Sequence, residues 1–143
     1  MNKNSVFDCS ILPLDTLQDQ FGNMVAVQGN QNINFPIERV YYMYGMPEGV
    51  SRGGHAHTDL YQLIVATGGS FDVLLDDGKN KKVVRLNQPN QGLFVVPGIW
   101  RDLYDFSAGA VCLVFASLTY KNNVSIRHYD EFKKFKGLEN YKL

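Results

Sequence analysis

Short apolar runs separated by turn-forming residues dominate the pattern of this chain. Valine, isoleucine, tyrosine and phenylalanine gather in runs that glycine, proline and asparagine interrupt. Six such runs span 38–46, 62–70, 70–78, 81–88, 92–98 and 109–117. Runs of this length and composition are typical of strands, and many of them in succession favour a sandwich or closed barrel, which leaves few exposed strand edges. The pattern therefore predicts an all-β fold.

One pair of runs carries a strong local pairing signal. Asp77-Gly78 lies between two β-rich segments. An Asp-Gly pair in this position is typical of a tight hairpin turn, because both residues tolerate a positive φ. We therefore expect residues 70–77 and 81–87 to pair as antiparallel strands.

The end of the chain has the one clear helical pattern. Apolar residues recur there at near-helical spacing, at Ile126, Tyr129, Phe132 and Phe135. This predicts a short C-terminal helix within a tail of about 126–137. A chain of 143 residues has the size of one domain. We expect a single domain over 1–143 with a barrel core at about 38–120.

The charge balance and the apolar pattern limit the partners and the compartment that we expect, and the cysteine spacing bears on the state of the thiols. Lys+Arg and Asp+Glu are equal at 14 each, and no basic block is present, so we expect no nucleic-acid partner. The first residues lack the apolar core of a secretory signal, and no apolar stretch reaches membrane-spanning length. We expect a cytoplasmic protein with no membrane partner. Cys9 and Cys112 lack metal-type spacing and are expected to be reduced.

The candidate chemistry begins with two histidines. His55 and His57 flank Ala56 just after a glycine pair. Residues two apart on a strand point to the same face, so both imidazoles can enter a barrel interior together. Histidine gains and loses protons near neutral pH, and two in one pocket can act as donor and acceptor. The third histidine, His128, lies in the polar tail and is expected to be structural.

Glycines and polar residues flank the histidine pair at a recognisable spacing. The first segment reads Gly49, five residues, His55-x-His57, four residues, Gln62, six residues, Gly69. A later segment reads Gly92, Pro97, Arg101. These segments resemble the two motifs of the cupin superfamily. Gln62 stands where that superfamily has glutamate, and Arg101 stands about where it has histidine.

These two departures argue against a metal. Gln62 is a neutral, poor ligand, and Arg101 has no lone pair to donate and adds a fixed positive charge. We therefore expect no metal and no cofactor. Arg101 and Arg52 instead offer guanidinium groups that bind phosphate or carbonyl oxygens. The combination favours proton transfer on a phosphorylated ligand.

Several further segments carry a closer resemblance. They are the RGGHAH of 52–57, Leu60, Gln62, Gly69-Ser70, and the segments 75–78, 96–100 and 103–107. From about Arg39 to Ser117 the chain resembles the nucleotide-sugar 3,4-ketoisomerases of the cupin superfamily. The resemblance implies a cupin fold, a double-stranded β-helix or jelly-roll barrel, and a homodimer.

The resemblance also implies an activity and its residues. The activity is metal-free conversion of a dTDP-linked 4-keto-6-deoxy sugar, dTDP-4-keto-6-deoxyglucose, to a 3-keto product that supplies 3-amino sugars for a surface glycan such as the O-antigen of lipopolysaccharide. His55 and His57 would be the base at C3 and the relay or donor at C4, in an order left open. Arg52 and Arg101 would hold the diphosphate or the enediolate oxygen, and Gln62 and Tyr104 the sugar. Arg101 favours the gluco-configured product, whereas Phe21 fits that product only loosely.

Two other functions remain open at this point. A 3,5-epimerase on the same nucleotide sugar needs a histidine with an aspartate partner and a tyrosine acid, for which Asp59, Asp102 and Tyr104 are the candidates. A non-catalytic cupin that binds a sugar is the other. Fold alone does not separate these three functions, because cupins host many different sites.

Overall fold

Antiparallel strands make up most of the molecule. A computed structural model describes residues 1–138 of the chain. A short 3₁₀ helix at Val6–Asp8 precedes the first strand, and an α-helix, α1 at Tyr129–Phe135, follows the last. The strands are β1 (Ser10–Pro13), β2 (Thr16–Asp19), β3 (Gly22–Val25), β4 (Arg39–Tyr44), β5 (Arg52–His57), β6 (Gln62–Gly68), β7 (Phe71–Asp76), β8 (Lys81–Leu86), β9 (Gln91–Val95), β10 (Trp100–Tyr104), β11 (Val111–Ala116) and β12 (Ser125–Ile126).

Ten of these strands form two five-stranded sheets. The first sheet has the order β1-β9-β6-β11-β4, and the second has the order β12-β5-β10-β7-β8. Apolar side chains from both sheets form one shared core, with Ile64 and Val114 from the first sheet and Val73 and Leu103 from the second. Two sheets packed through such a core are a β-sandwich. The all-β cupin fold expected from the sequence is confirmed.

A second apolar cluster covers the outer face of the first sheet. Leu63 and Val65 of β6 point away from the shared core and pack against Leu14, Ile33 and Phe35 of the N-terminal segment. Because β6 is buried on both faces, its sequence is a continuous apolar run rather than an alternation. The remaining two strands, β2 and β3, form a separate hairpin in this N-terminal segment.

The local predictions for strands agree with the structure. Each of the six apolar runs contains one strand, namely β4, β6, β7, β8, β9 or β11. The predicted hairpin is present: β7 and β8 pair antiparallel from Phe71↔Leu86 to Asp76↔Lys81. In the turn, Gly78 has a φ of 92° and the Asp77 carboxylate accepts hydrogen bonds from the backbone N–H groups of Lys79 and Asn80 at 2.8 and 2.7 Å.

The sheets extend beyond the interval 38–120 on both sides. Strand β1 pairs with β9, and β12 pairs with β5 through Ser125↔His57 and Ile126↔Ala56. Because Ile126 belongs to a strand, the helix begins only at Tyr129, later than the tail pattern suggested. The helix buries Phe132 beside the Trp100 ring, at 5.7 Å between centroids.

Two features of the described residues concern the expectations about a membrane partner and about the cysteines. No helix within residues 1–138 is both long enough and apolar enough to cross a membrane. Cys9 and Cys112 are free thiols, both buried in the core shared by the two sheets. Burial raises the pKa of the Cys112 thiol to about 12, so this group stays protonated at neutral pH.

Gly92 gives a test of the packing on the outer face of the first sheet. A Cβ at Gly92 would lie 2.5 Å from Leu63 Cδ1 and 2.8 Å from Leu63 Cγ, and Leu63 is fully buried. We expect Gly92→Ala to lower the free energy of unfolding by about 1–3 kcal/mol through overpacking, measured by urea denaturation. The control is Gly68→Ala, whose Cβ would meet nothing closer than 3.5 Å. Equal stability of the two variants would contradict this packing.

Candidate functional site

A cavity of about 650 Å³ opens between the two sheets. Side chains from β4, β5, β6, β10 and β11 line it, together with the segment that leads into and follows β12. Five of the six residues predicted from the sequence are brought together here: Arg52, His55, His57, Gln62 and Arg101. Interior positions that carry apolar side chains elsewhere in the sandwich carry polar ones at this end, so the fold leaves a polar pocket beside its core.

Two glycines set the position of the histidine strand. Gly53 and Gly54 have φ values of 104° and 67°, which side chains other than glycine rarely adopt. A Cβ at Gly53 would lie 2.8 Å from the carbonyl oxygen of Arg101. The glycine pair therefore lets β5 approach β10 closely at a register shift, where His55 lies opposite Arg101.

The two imidazoles contact one another. His55 Nε2 and His57 Nε2 are 3.1 Å apart, and the rings meet edge to face at 76°. The predicted same-face geometry is therefore present. Burial, followed by the charge of Arg101, lowers the pKa of His55 to about 4 and that of His57 to about 2. The Gly53 backbone acts in the opposite direction on His55, although no hydrogen bond of normal geometry reaches its Nδ1. Both rings are neutral near pH 7.

Arg101 is a fully buried cation. Its Nη1 donates to Gln62 Oε1, and its Nη2 and Nε donate to the Ile99 carbonyl at 2.9 and 3.3 Å. Gln62 in turn donates from Nε2 to the Tyr41 hydroxyl at 3.2 Å. Desolvation lowers the pKa of Arg101 to about 10, so the guanidinium remains charged at neutral pH. A carboxamide at position 62 thus orients a permanent positive charge beside the histidines.

Further cations surround this centre. Arg39, Arg52 and Arg127 also line the cavity, whereas none of its lining residues in the described part of the chain is aspartate or glutamate. The Arg39 guanidinium lies over the rings of Tyr41 and Tyr120, at 4.6 and 5.0 Å from their centroids. Four guanidinium groups without a carboxylate make the pocket suited to an anionic ligand.

The donor set does not suit the divalent metal of other cupins. Within residues 1–138 no group of three or more His, Cys, Asp or Glu side chains is arranged to hold a metal ion. Gln62 and Arg101 stand where other cupins have metal ligands beside the two histidines. A carboxamide is a poor ligand, and a buried guanidinium repels a cation. These residues therefore do not fit a divalent metal ion.

Tyr104 lies apart from the other five predicted site residues. It belongs to β10, where Arg101 and Leu103 face the interior, and the two-residue alternation of a strand places Tyr104 on the opposite face. It therefore lies outside the cavity lining. Phe21, at the turn between β2 and β3, is 87% exposed and also lies outside the cavity lining.

Seven polar residues of the cavity were not assigned from the sequence: Arg39, Tyr41, Ser51, Tyr120, Asn123, Ser125 and Arg127. Asn123 is the most direct, because its Oδ1 lies 2.9 Å from His57 Nδ1. In the sequence it begins the sequon Asn123-Val124-Ser125, a pattern typical of a surface loop that does not point to His57. Tyr41 had a signal in the alternating aromatic residues of β4, of which Tyr42 and Tyr44 are exposed and Tyr41 faces inward.

The buried neutral histidines make stability depend on pH. Their folded-state pKa values lie below the ordinary value of 6.5, so the unfolded chain binds more protons as the pH falls. Stability is complete above about pH 6.5 and falls below it, by up to about 1.4 kcal/mol per pH unit for each histidine. Urea denaturation at pH 5 to 8 should therefore give a steeper loss for the native chain than for the His55→Asn/His57→Asn variant. Equal slopes would contradict the burial of these groups as neutral rings, and His128→Asn is the control.

A family comparison identifies the chain. The family model of the WxcM-like C-terminal domain matches residues 7–137. The chain belongs to this family. It is 43% identical over 117 residues to the TDP-4-oxo-6-deoxy-alpha-D-glucose-3,4-oxoisomerase of Aneurinibacillus thermoaerophilus, an alignment that covers 82% of this chain and 84% of that one.

Solved structures of 3,4-ketoisomerases share this fold. A mutant of QdtA, a 3,4-ketoisomerase from Thermoanaerobacterium thermosaccharolyticum, solved in complex with TDP-4-keto-6-deoxyglucose, matches with a TM-score of 0.89 and 29% identity, over 96% of this chain and 100% of that one. The WlaRB TDP-quinovose 3,4-ketoisomerase of Campylobacter jejuni matches with a TM-score of 0.85 and 40% identity, over 89% of this chain and 98% of that one.

Proposed function

We propose that this chain is an isomerase that converts TDP-4-keto-6-deoxyglucose to the corresponding 3-keto-6-deoxy sugar. The observation that carries this proposal is the pair of neutral imidazoles, 3.1 Å apart, beside a fully buried guanidinium in a cavity without carboxylates among its lining residues. The relatives that act on or bind this nucleotide sugar support the substrate.

The proposed reaction moves two protons between positions of the sugar. It transfers no electrons to an external acceptor. The C4 ketone acidifies the C3 hydrogen, which a neutral imidazole removes as a proton, so that negative charge develops on O4 of an enediolate that spans C3 and C4. The O3 proton then moves to O4, and a histidine that carries the positive charge of the abstracted proton returns a proton to C4, which places the ketone at C3. His55 and His57 are the proposed acid/base groups, and Arg101 stabilises negative charge on the enediolate oxygen.

The ligand's diphosphate is proposed to lie among the outer guanidinium groups. Arg52, Arg39 and Arg127 line the cavity and are free of the carboxylates that would compete with phosphate oxygens, since the ion pairs of the described chain involve Arg85 instead. Gln62 is proposed to act through Arg101 and Tyr41 rather than as a separate sugar ligand, because both ends of its amide are already paired.

The gluco configuration of the product is part of this proposal. Arg101 at the position after the tryptophan favours it, and the 40% identity to a TDP-quinovose isomerase gives further support, since quinovose is 6-deoxyglucose. We propose a role in the cytoplasm, supplying a 3-keto sugar to an aminotransferase for a 3-amino sugar of a surface glycan such as the O-antigen.

We also propose a homodimer. The outer strand β4 exposes Val40, Tyr42 and Tyr44 at 52, 64 and 72% of their surface, which gives an apolar strip on an unpaired strand edge. Light scattering after size exclusion should give twice the chain mass for the native protein and a lower mass for Tyr42→Arg. A monomeric native protein would contradict the dimer.

Proton NMR of the reaction mixture tests the activity. Purified protein and TDP-4-keto-6-deoxyglucose, with a chelator present, should give a new 3-keto sugar. A large diaxial coupling between H4 and H5 identifies the gluco product, and a small coupling identifies the galacto product. Unchanged substrate would overturn the isomerase in favour of a binding protein. Epimerisation at C3 and C5 without migration of the ketone would favour a 3,5-epimerase.

A further inference from the structure

The side-chain carboxamide of Asn123 contacts His57 and has no role in the proton transfers proposed for the reaction. Asn123 lies just before β12, and its Oδ1 is 2.9 Å from His57 Nδ1. The segment is fixed against the histidine strand because Ser125 pairs with His57 and the Thr58 N–H donates to the Val124 carbonyl at 3.2 Å. Asn123 is therefore anchored by the backbone contacts of the two residues that follow it.

The proton positions on the two histidines follow from their contacts. Both rings are neutral, so the 3.1 Å contact between His55 Nε2 and His57 Nε2 holds one proton. If His57 donated it, the proton of neutral His55 would be on Nδ1, a buried atom to which the Gly53 backbone offers no hydrogen bond of normal geometry. Buried N–H groups without a partner are rare in proteins because they lose their hydration without compensation.

The opposite arrangement leaves no buried donor unpaired on either ring. His57 carries its proton on Nδ1 and donates it to Asn123 Oδ1, and His55 carries its proton on Nε2 and donates it to His57 Nε2. His55 Nδ1 then has only a lone pair, which is less costly to leave unpaired than an N–H. The side chain of Asn123 is what makes this arrangement possible.

We propose that Asn123 is a positioning residue that fixes the proton of His57 on Nδ1, so that His57 Nε2 presents its lone pair to the proton on His55 Nε2 and can take that proton during isomerisation. The catalytic part of this proposal rests on the proposed function. Asn123 touches the imidazole and acts through it.

Neither a hydroxyl nor a carboxylate would do the same. Ser125 Oγ lies 3.3 Å from His57 Nδ1, but a hydroxyl both donates and accepts and so does not select a tautomer. A carboxylate would accept the same proton, but its charge would favour a cationic ring. The neutral amide orients the ring without adding a negative charge among Arg101 and Arg127, which also face it.

The tautomer of His57 can be measured without an activity assay. Long-range ¹H–¹⁵N correlation spectra of ¹⁵N-histidine-labelled protein distinguish a ring protonated on Nδ1 from one protonated on Nε2, and His57 is assigned by comparison with His55→Asn. We expect native His57 and Asn123→Asp to be protonated on Nδ1, and Asn123→Ala to give a mixture. The matched controls are Asn122→Ala and Asn122→Asp at the exposed neighbouring residue, which should match the native spectrum. A native His57 protonated on Nε2, or an unchanged spectrum for Asn123→Ala, would overturn the proposal.

Kinetics test the catalytic consequence. Asn123→Ala should lower kcat for TDP-4-keto-6-deoxyglucose by about 10- to 100-fold with KM within about twofold, because orientation and tautomer are lost but the phosphate contacts remain. Asn123→Asp should recover only part of that loss, because the carboxylate restores the acceptor for the Nδ1 proton but its charge favours a cationic ring, and both Asn122 variants should be unchanged. A KM effect alone, or full kcat with a mixed tautomer, would overturn the positioning role. If the native protein lacks isomerase activity, the proposed function fails while the spectra still decide the tautomer.

Discussion

Replacing His57 by alanine is expected to lower kcat by about 10²- to 10⁴-fold, the usual contribution of a positioned acid/base group. His55→Ala should have a loss of similar size, because the two rings share one hydrogen bond. Binding of TDP should change little in either variant, since the outer guanidinium groups of the cavity are intact. Single-turnover kinetics and calorimetric titration with TDP measure the two effects separately.

The chain offers a matched control for these variants. His128 is exposed and lies at the start of α1, outside the cavity lining. His128→Ala should keep native kcat, and circular dichroism should show that all three variants are folded. Native turnover in His55→Ala and His57→Ala together would exclude the histidine pair as the acid/base groups.

Replacing Arg101 by methionine is expected to lower kcat by about 10²- to 10³-fold, because a fixed positive charge beside the developing enediolate is lost. Methionine fills much of the volume without the charge. Burial is the main cause of the lowered pKa of both histidines and the charge of Arg101 is the second, so removing Arg101 should raise those pKa values part of the way towards 6.5. The fall of kcat/KM on acidification should then begin at a higher pH in the variant than in the native enzyme.

Arg85 is the control for this substitution. It is half exposed and pairs with Asp72 and Asp105 outside the cavity. Arg85→Met should leave both kcat and the pH profile unchanged. An Arg101→Met enzyme with native kcat would remove this guanidinium from the mechanism. An unchanged pH profile would contradict its electrostatic effect on His55 and His57.

The fold was predictable where the deciding contacts are local. The Asp77-Gly78 turn and the alternation around it specify the β7–β8 hairpin without reference to the rest of the chain. Strands β1 and β12 are short and pair with partners far away in sequence, so no local pattern indicates them. The same long-range pairing explains why Ile126 entered a sheet although its spacing was helical.

The site was predictable from motif spacing, and the limits of that prediction have physical reasons. His55, His57, Gln62, Arg52 and Arg101 meet because two spaced motifs lie on strands that the sandwich brings together. Tyr104 lies apart from them because it comes three residues after Arg101 on one strand, and residues an odd number apart face opposite sides. The odd spacing between Arg101 and Tyr104 can be read directly from the sequence.

Asn123 was not predictable in the same way. Its contact with His57 spans 66 residues of sequence and depends on the two-residue strand β12. A polar loop gives no sign of which distant strand it will contact. The tautomer of His57 therefore depends on a contact that exists only in the folded chain, and the sequence motifs alone do not indicate it.

Incorporation of solvent deuterium tests the central claim most directly. Native protein, a chelator and TDP-4-keto-6-deoxyglucose in D₂O should give a 3-keto sugar labelled at C4, as observed by NMR, and His57→Ala should give almost none. This result would establish proton transfer by the histidine pair without a metal. A product that forms only without the chelator, or a His57→Ala enzyme that labels C4 at the native rate, would contradict it.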